Sequence, residues 1–168
     1  MTGNHQLDAI GVLHGLFERE GTDYWLFGGW AVDFHAGRIT RPHTDIDVAV
    51  WRTDLARIGE LLEQQGWSCV RQSDEDGYVQ YRRGSIDIDV AFLAQDENGT
   101  VYTPLDEGRG DWPVGAFGQA EKELLGVRAR VVGLSSLVAD KSEVHPDPSA
   151  ARKDQADIAV LIGLTRDE

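Results

Sequence analysis

Cysteine and methionine are almost missing from this chain, which has one of each in 168 residues. A lone Cys69 excludes a disulfide framework and fits a reducing compartment, so a cytoplasmic protein is expected. Long apolar runs are missing too. None approaches the roughly 20 residues that span a bilayer. The opening MTGNHQLDAI has neither a basic n-region nor an apolar h-region, so no signal peptide is expected. Cations are scarce: 16 Lys and Arg face 29 Asp and Glu, a net charge of −13. A nucleic-acid binder needs a basic stripe to neutralise phosphate, and this balance argues against that class. An acidic surface suits a cationic small-molecule partner, or serves solubility alone. There is no internal repeat and no low-complexity tract. What remains is one domain's length with an ordinary globular composition, 41% hydrophobic and 27% charged.

The informative stretch is YWLFGGWAVDFHAGRITRPHTDIDVAV, residues 24–50. Its aromatic start reads as a buried strand, Gly28-Gly29 as a sharp turn, Trp30 to Ala36 as a short helix, and Gly37 as the helix stop. Asp45-Ile46-Asp47-Val48 alternates with period two, which puts both carboxylates on one face of a strand. Two like charges in an apolar strand are costly unless a cation sits between them. An oxygen-only ligand set suits Mg²⁺ before Zn²⁺. Gly28 and Gly29, ahead of a helix, offer approachable backbone N–H groups of the kind phosphate needs. Arg38, Arg41 and His43 add cationic or donor groups between the two motifs. Ile86-Asp87-Ile88-Asp89-Val90 repeats the alternation, and carboxylates on two neighbouring strands could hold two metal ions about 3.5–4 Å apart.

Gly28-Gly29, Asp45-Ile46-Asp47 and a later Asp87, in this order, resemble the nucleotidyltransferase superfamily that includes DNA polymerase beta. The longer string GGWAVDFHAGRITRPHTDID is similar to the small antibiotic nucleotidyltransferases, both lincosamide and aminoglycoside 2''-type. In that branch Trp follows the glycine pair, an Asp lies three residues on (here Asp33), and an Arg and a His precede the paired aspartates. The Gly-Ser pair of the wider superfamily is absent, and with it a serine hydroxyl for phosphate. The resemblance implies transfer of a nucleoside monophosphate, AMP from ATP, to a hydroxyl of a small antibiotic. It implies two Mg²⁺ ions on Asp45, Asp47 and Asp87, with Asp87 the third carboxylate or general base. Gly28, Gly29, Arg38, Arg41, His43 and Lys141 would hold the triphosphate. Asp89 is open between base, acceptor contact and structural hydrogen bonding. Asp33 reads as a structural acceptor. Trp112 reads either as an acceptor contact or, with Phe117, as a core plug. Relatives of this size pair, so a homodimer is implied. The length and the Asn98–Trp112 region lean towards the lincosamide type.

The rest of the chain predicts an α/β (α+β) protein: a mixed twisted sheet flanked by helices, with a small C-terminal helical part. Residues 1–105 would form the catalytic core, and 106–168 would complete the acceptor site. Helices are expected over 5–20, from a Thr53 cap to Gln65, from Ser135 to Val144, and over 150–164. Strands are expected over 67–71, 78–82, 86–93, 100–103 and 127–132, and a loop over 104–119. His5 and His14 are expected to face solvent. Two other classes fit less well: a toxin–antitoxin nucleotidyltransferase acting on protein or RNA, and a non-catalytic nucleotide-binding module.

Overall fold

A computed structural model describes residues 2–73, 77–105, 108–141 and 148–166. Its centre is a parallel pair, β2 (Ile46–Trp51) beside β5 (Ile86–Gln95). Around it the sheet runs β1-β2-β5-β4-β3, with β1 (Trp25–Phe27), β3 (Ser68–Ser73) and β4 (Tyr78–Arg83) all added antiparallel. A hairpin of β6 (Val101–Leu105) and β7 (Gly108–Asp111) extends from the end of β5. A separate pair, β8 (Glu121–Leu124) with β9 (Val127–Arg130), lies beside helix α1 (Thr2–Glu20).

The alternation read from the sequence decides the sheet's two faces. Ile46, Val48, Val50, Ile88, Val90 and Phe92 are buried on one face, where helix α3 (Leu55–Gln64) brings Gly59 against the Tyr81 hydroxyl. The odd-numbered residues of β2 and β5 form the other face, with aspartates at one end and Ala49, Ala91, Trp51 and Leu93 further along. Trp25, Trp51, Phe117, Trp112 and Phe27 form a chain of edge-to-face ring contacts with centroids 5.0–6.1 Å apart. Such pairs add to the area they bury.

Helix α2 (Gly28–Ala36) follows β1 directly and ends at Gly37, whose φ of 74° supplies the left-handed stop. Helices α4 (Leu134–Lys141) and α5 (Pro148–Arg166) pack on α2 and on each other. Leu124, Ala129, Val131, Leu137 and Leu161 belong to the same apolar core as β2 and β5. Residues beyond 105 therefore share the core of those before it.

Several expectations change. The stretch 104–119 contains β7 and the end of β6 rather than a continuous loop, because its glycines sit in a hairpin. Thr53 does not cap α3; it lies in a 3-10 turn, Arg52–Asp54, that precedes the helix. Pro148 opens the last helix, where a missing N–H costs nothing. Val144, the expected end of the preceding helix, lies outside the described residues. His14 is not solvent-facing: it is half-buried, with Nδ1 2.6 Å from the Tyr24 hydroxyl and Nε2 3.4 Å from Glu121. Burial also pushes the Tyr24 phenol well up.

Candidate active site

Three carboxylates converge at the start of the parallel pair. Asp45, Asp47 and Asp89 each offer an oxygen, and these oxygens lie within 4.8 Å of one another. The register explains the grouping: Asp47 is directly opposite Asp89 across the β2–β5 ladder, so two odd-face carboxylates meet side by side. All three are half-buried. Burial first, and Asp45 beside it second, push the Asp89 carboxyl up to about 7.

Asp87, expected from the sequence to complete the set, turns its carboxylate to Arg82 and lies outside this 4.8 Å group. Its partner across the antiparallel β4–β5 ladder is Arg82, whose Nε donates to Asp87 Oδ1 at 2.6 Å and Nη2 to Oδ2 at 3.3 Å. The neighbour of Asp89 on β4 is Gln80, which carries no charge to draw it away.

Gly28 and Gly29 open α2, and Gly28 faces the Asp47 carboxylate. Gly28 has φ 69°, and a Cβ there would run into the Asp47 carboxylate, with Asp47 Cγ at 3.1 Å and Cβ at 3.3 Å. Phe27 precedes the helix and supplies no side-chain cap, so the first N–H groups of α2 are not closed off by that residue. A Cβ on Gly29 would sit 2.5 Å from His43 Nδ1 and 2.7 Å from Arg41 Nη2. The basic loop thus brings Arg41 and His43 over the second glycine. Arg38 is exposed at the start of the same loop.

Both loop residues are held from behind. His43 Nε2 lies 2.6 Å from Asp33 Oδ2, and the His43 ring packs on the Trp30 indole with centroids 4.6 Å apart. Asp33 also accepts the Thr40 hydroxyl at 2.5 Å and the Thr40 N–H at 3.2 Å. Trp30 Nε1 donates to Gln6 Oε1 at 2.8 Å, and Gln6 Nε2 donates to the His43 carbonyl at 3.0 Å. Arg41 makes a two-pronged contact with Asp157 of α5, Nε and Nη2 each at 2.9 Å. That hydrogen bond raises the Arg41 pKa further. Gln6 and Asp157 were missed in the sequence. Gln6 carries no motif, and Asp157 lies 116 residues from its partner.

Trp112 is half-buried between Phe27 and Phe117 and donates its Nε1–H to Thr103 Oγ1 at 2.9 Å. With Trp51, Asn98, Thr100 and Phe117 it also lines an open cleft of about 360 Å³. It therefore packs against the core, as one of the two expectations had it, and also walls this cleft. Asp96 shapes one rim, accepting the N–H groups of Asn98 and Thr100 at 2.9 Å each and bonding Arg109 at 2.7 Å. Lys141 is the last residue of α4, and its side chain lies outside what the structure describes.

The donor set fits a hard divalent cation. It is all oxygen, and three carboxylates with oxygens within 4.8 Å of one another repel unless a cation lies between them. Among the described residues no helix is long and apolar enough to cross a membrane.

A family model for aminoglycoside-2''-adenylyltransferase matches residues 10–161. A 2''-aminoglycoside nucleotidyltransferase of Escherichia coli is 27% identical over 94 residues, 56% of this chain and 51% of that protein. A lincosamide resistance protein of Staphylococcus haemolyticus is 38% identical over 52 residues, 31% of this chain and 32% of that protein. The chain thus matches about half the length of the aminoglycoside relatives or less of the lincosamide one. Among solved structures, the lincomycin-bound lincosamide antibiotic adenylyltransferase has a TM-score of 0.72 at 20% identity, covering 91% of this chain and 94% of that one. The solution structure of the antibiotic-resistance factor ANT(2'')-Ia has a TM-score of 0.71 at 19% identity, covering 99% and 94%. The fold is that of the nucleotidyltransferases.

Proposed function

The chain belongs to the aminoglycoside-2''-adenylyltransferase family, and on that premise we propose that it moves a nucleoside monophosphate, AMP from ATP, onto a hydroxyl of a small antibiotic. The observation that carries this reading is the triad Asp45, Asp47 and Asp89 set against the uncapped, glycine-rich start of α2. The acceptor class is an aminoglycoside or a lincosamide. Both carry amines, which a protein of net charge −13 attracts. The need for a nucleoside triphosphate assigns the reaction to the cytoplasm.

Asp45, Asp47 and Asp89 are the residues that would hold Mg²⁺, as one ion or two; when bound it supplies positive charge against the transferring phosphoryl group. The N–H groups of Gly28 and Gly29, with Arg41 and His43, bind the triphosphate and orient it for in-line displacement. The acceptor oxygen attacks the α-phosphorus and its proton passes to Asp89. The bond to the bridging oxygen breaks, and pyrophosphate leaves. Asp89 stands opposite Asp47 within the triad and is the carboxylate of β5 placed to take that proton. Asp87, bound to Arg82, shapes the edge of the site. The segment after residue 105, with Trp112 on its cleft, forms the acceptor side.

The test is mass spectrometry of a panel of lincosamides and aminoglycosides incubated with enzyme, Mg²⁺ and each of the four triphosphates. A product heavier by one nucleoside monophosphate, lost in Asp45→Asn, is the expected result. Mg²⁺-dependent nucleotide binding with no modified antibiotic would overturn the acceptor class and redirect the search to protein or RNA.

A further inference from the structure

Two carboxylates outside the aspartate triad are buried as deeply as any described residue. Asp33 is 0% exposed and Asp157 is 1% exposed. A buried carboxylate is costly unless it is well paired, and each of these is paired with one residue of the basic loop. Asp33 takes His43 Nε2, which leaves Nδ1 as the ring nitrogen beside Gly29. Asp157 takes Arg41 Nε and Nη2, and the Pro42 carbonyl takes Nη1 at 3.1 Å. The guanidinium is thereby fixed with Nη2 beside the same glycine. The two pairs come from opposite parts of the chain, α2 and α5, and converge on one backbone position. Around His43 the supports are complete: Trp30 below the ring, Gln6 on its carbonyl, Asp33 on its far nitrogen.

We propose that Asp33 and Asp157 are positioning residues for the polyphosphate end of the nucleotide. They hold His43 and Arg41 over Gly29 so that neither side chain has to be ordered when the triphosphate arrives. Side chains with many rotamers lose freedom on binding, and prior fixing removes that cost. Asp157 thereby makes α5 part of the nucleotide site, although no residue of α5 needs to touch the nucleotide. The proposal deepens the nucleotidyltransferase reading and rests on it.

The roles predict a selective loss. A nucleoside monophosphate lacks the β and γ groups that Arg41 and His43 would grip, so its affinity should not depend on the two carboxylates. Calorimetric titration of the full chain with Mg²⁺ and a non-hydrolysable ATP analogue, and separately with AMP, reads this directly. Asp157→Asn and Asp33→Asn should each weaken the triphosphate analogue about tenfold and leave AMP within about twofold, the size expected when a charge-assisted contact loses its charge. Arg41→Lys, which keeps the charge but not the two-pronged contact, should show the same selective loss and serves if Asp157→Asn does not fold. Equal losses for both ligands would mean a merely structural role and would overturn the proposal, as would no loss for either. A wild-type chain that binds neither ligand would overturn the nucleotide reading beneath it.

Discussion

Gly28→Ala and Gly21→Ala form a matched pair that isolates what the first glycine does. Both positions are left-handed, at φ 69° and 66°. A Cβ on Gly21 meets nothing within 4 Å, whereas on Gly28 it runs into the Asp47 carboxylate, with Cγ and Cβ also in tight contact. Gly21→Ala should therefore lose only the conformational term, about 1 kcal/mol. Gly28→Ala carries the same term plus a displacement of Asp47. That displacement cannot be a rotation of the carboxylate alone, because Asp47 Cβ itself is fixed by the strand. An off-rotamer side chain adds roughly 0.5–1.5 kcal/mol, for a total of about 1.5–2.5 kcal/mol. Urea denaturation of both variants measures the difference. Titration with Mg²⁺, or with Mn²⁺ as a spectroscopic substitute, measures whether the triad still closes on a cation. The expected outcome is a larger destabilisation and at least about a tenfold loss of metal affinity for Gly28→Ala, with metal affinity unchanged for Gly21→Ala. Equal stability losses with intact metal binding in both would refute the reasoning.

Other outcomes follow from the same geometry. The Asp89 carboxyl is raised from 3.8 to about 7, so its contribution to stability is complete below pH ~4 and is lost as pH rises through about 7. Metal-free wild type should therefore be more stable relative to Asp89→Asn at pH 5 than at pH 8, by about 1–2 kcal/mol after solvent screening, in urea melts at the two pH values; a difference independent of pH would refute the assignment. Asp89→Asn should lower kcat for pyrophosphate release roughly 10²–10⁴-fold, the range for loss of a general base, whereas Asp87→Asn loses only the half-buried partner of the exposed Arg82 and should stay within about tenfold. The reverse ranking would return the role to Asp87. Tyr24→Phe removes the hydroxyl that meets His14 Nδ1 and accepts the Arg130 N–H at 3.0 Å; it should cost about 1–3 kcal/mol in urea while leaving kcat unchanged.

Local signals carried much of the fold. The glycine pair, the short helix and its Gly37 stop, and the alternating aspartates all act within a few residues, and each lies where its residues predict. What the sequence could not separate was Asp87 from Asp89. Both occupy the same face of one strand, and only the pairing with β2, some forty residues away, brings Asp89 opposite Asp47. Arg41 and Asp157 were hidden for the same reason, since nothing local in either segment names the other. The strand expected over 100–103 is β6, but its partner β7 is hidden because glycine weakens a strand signal even where an edge pair tolerates it. His14 was legible and overlooked: Ile10, His14 and Phe17 follow helical spacing, which places the imidazole beside the apolar stripe and not opposite it.

The span between Arg41 and Asp157 has a consequence for biosynthesis. A nascent chain that has emerged from the ribosome only as far as β5 already owns Asp45, Asp47 and Asp89, and its parallel ladder can close around them. It does not yet own the carboxylate that fixes Arg41. Such a half-made chain would carry a cation site without a set polyphosphate grip, and competence for nucleotide would come late, when α5 docks on α2 and ties the loop down from the far end of the sequence.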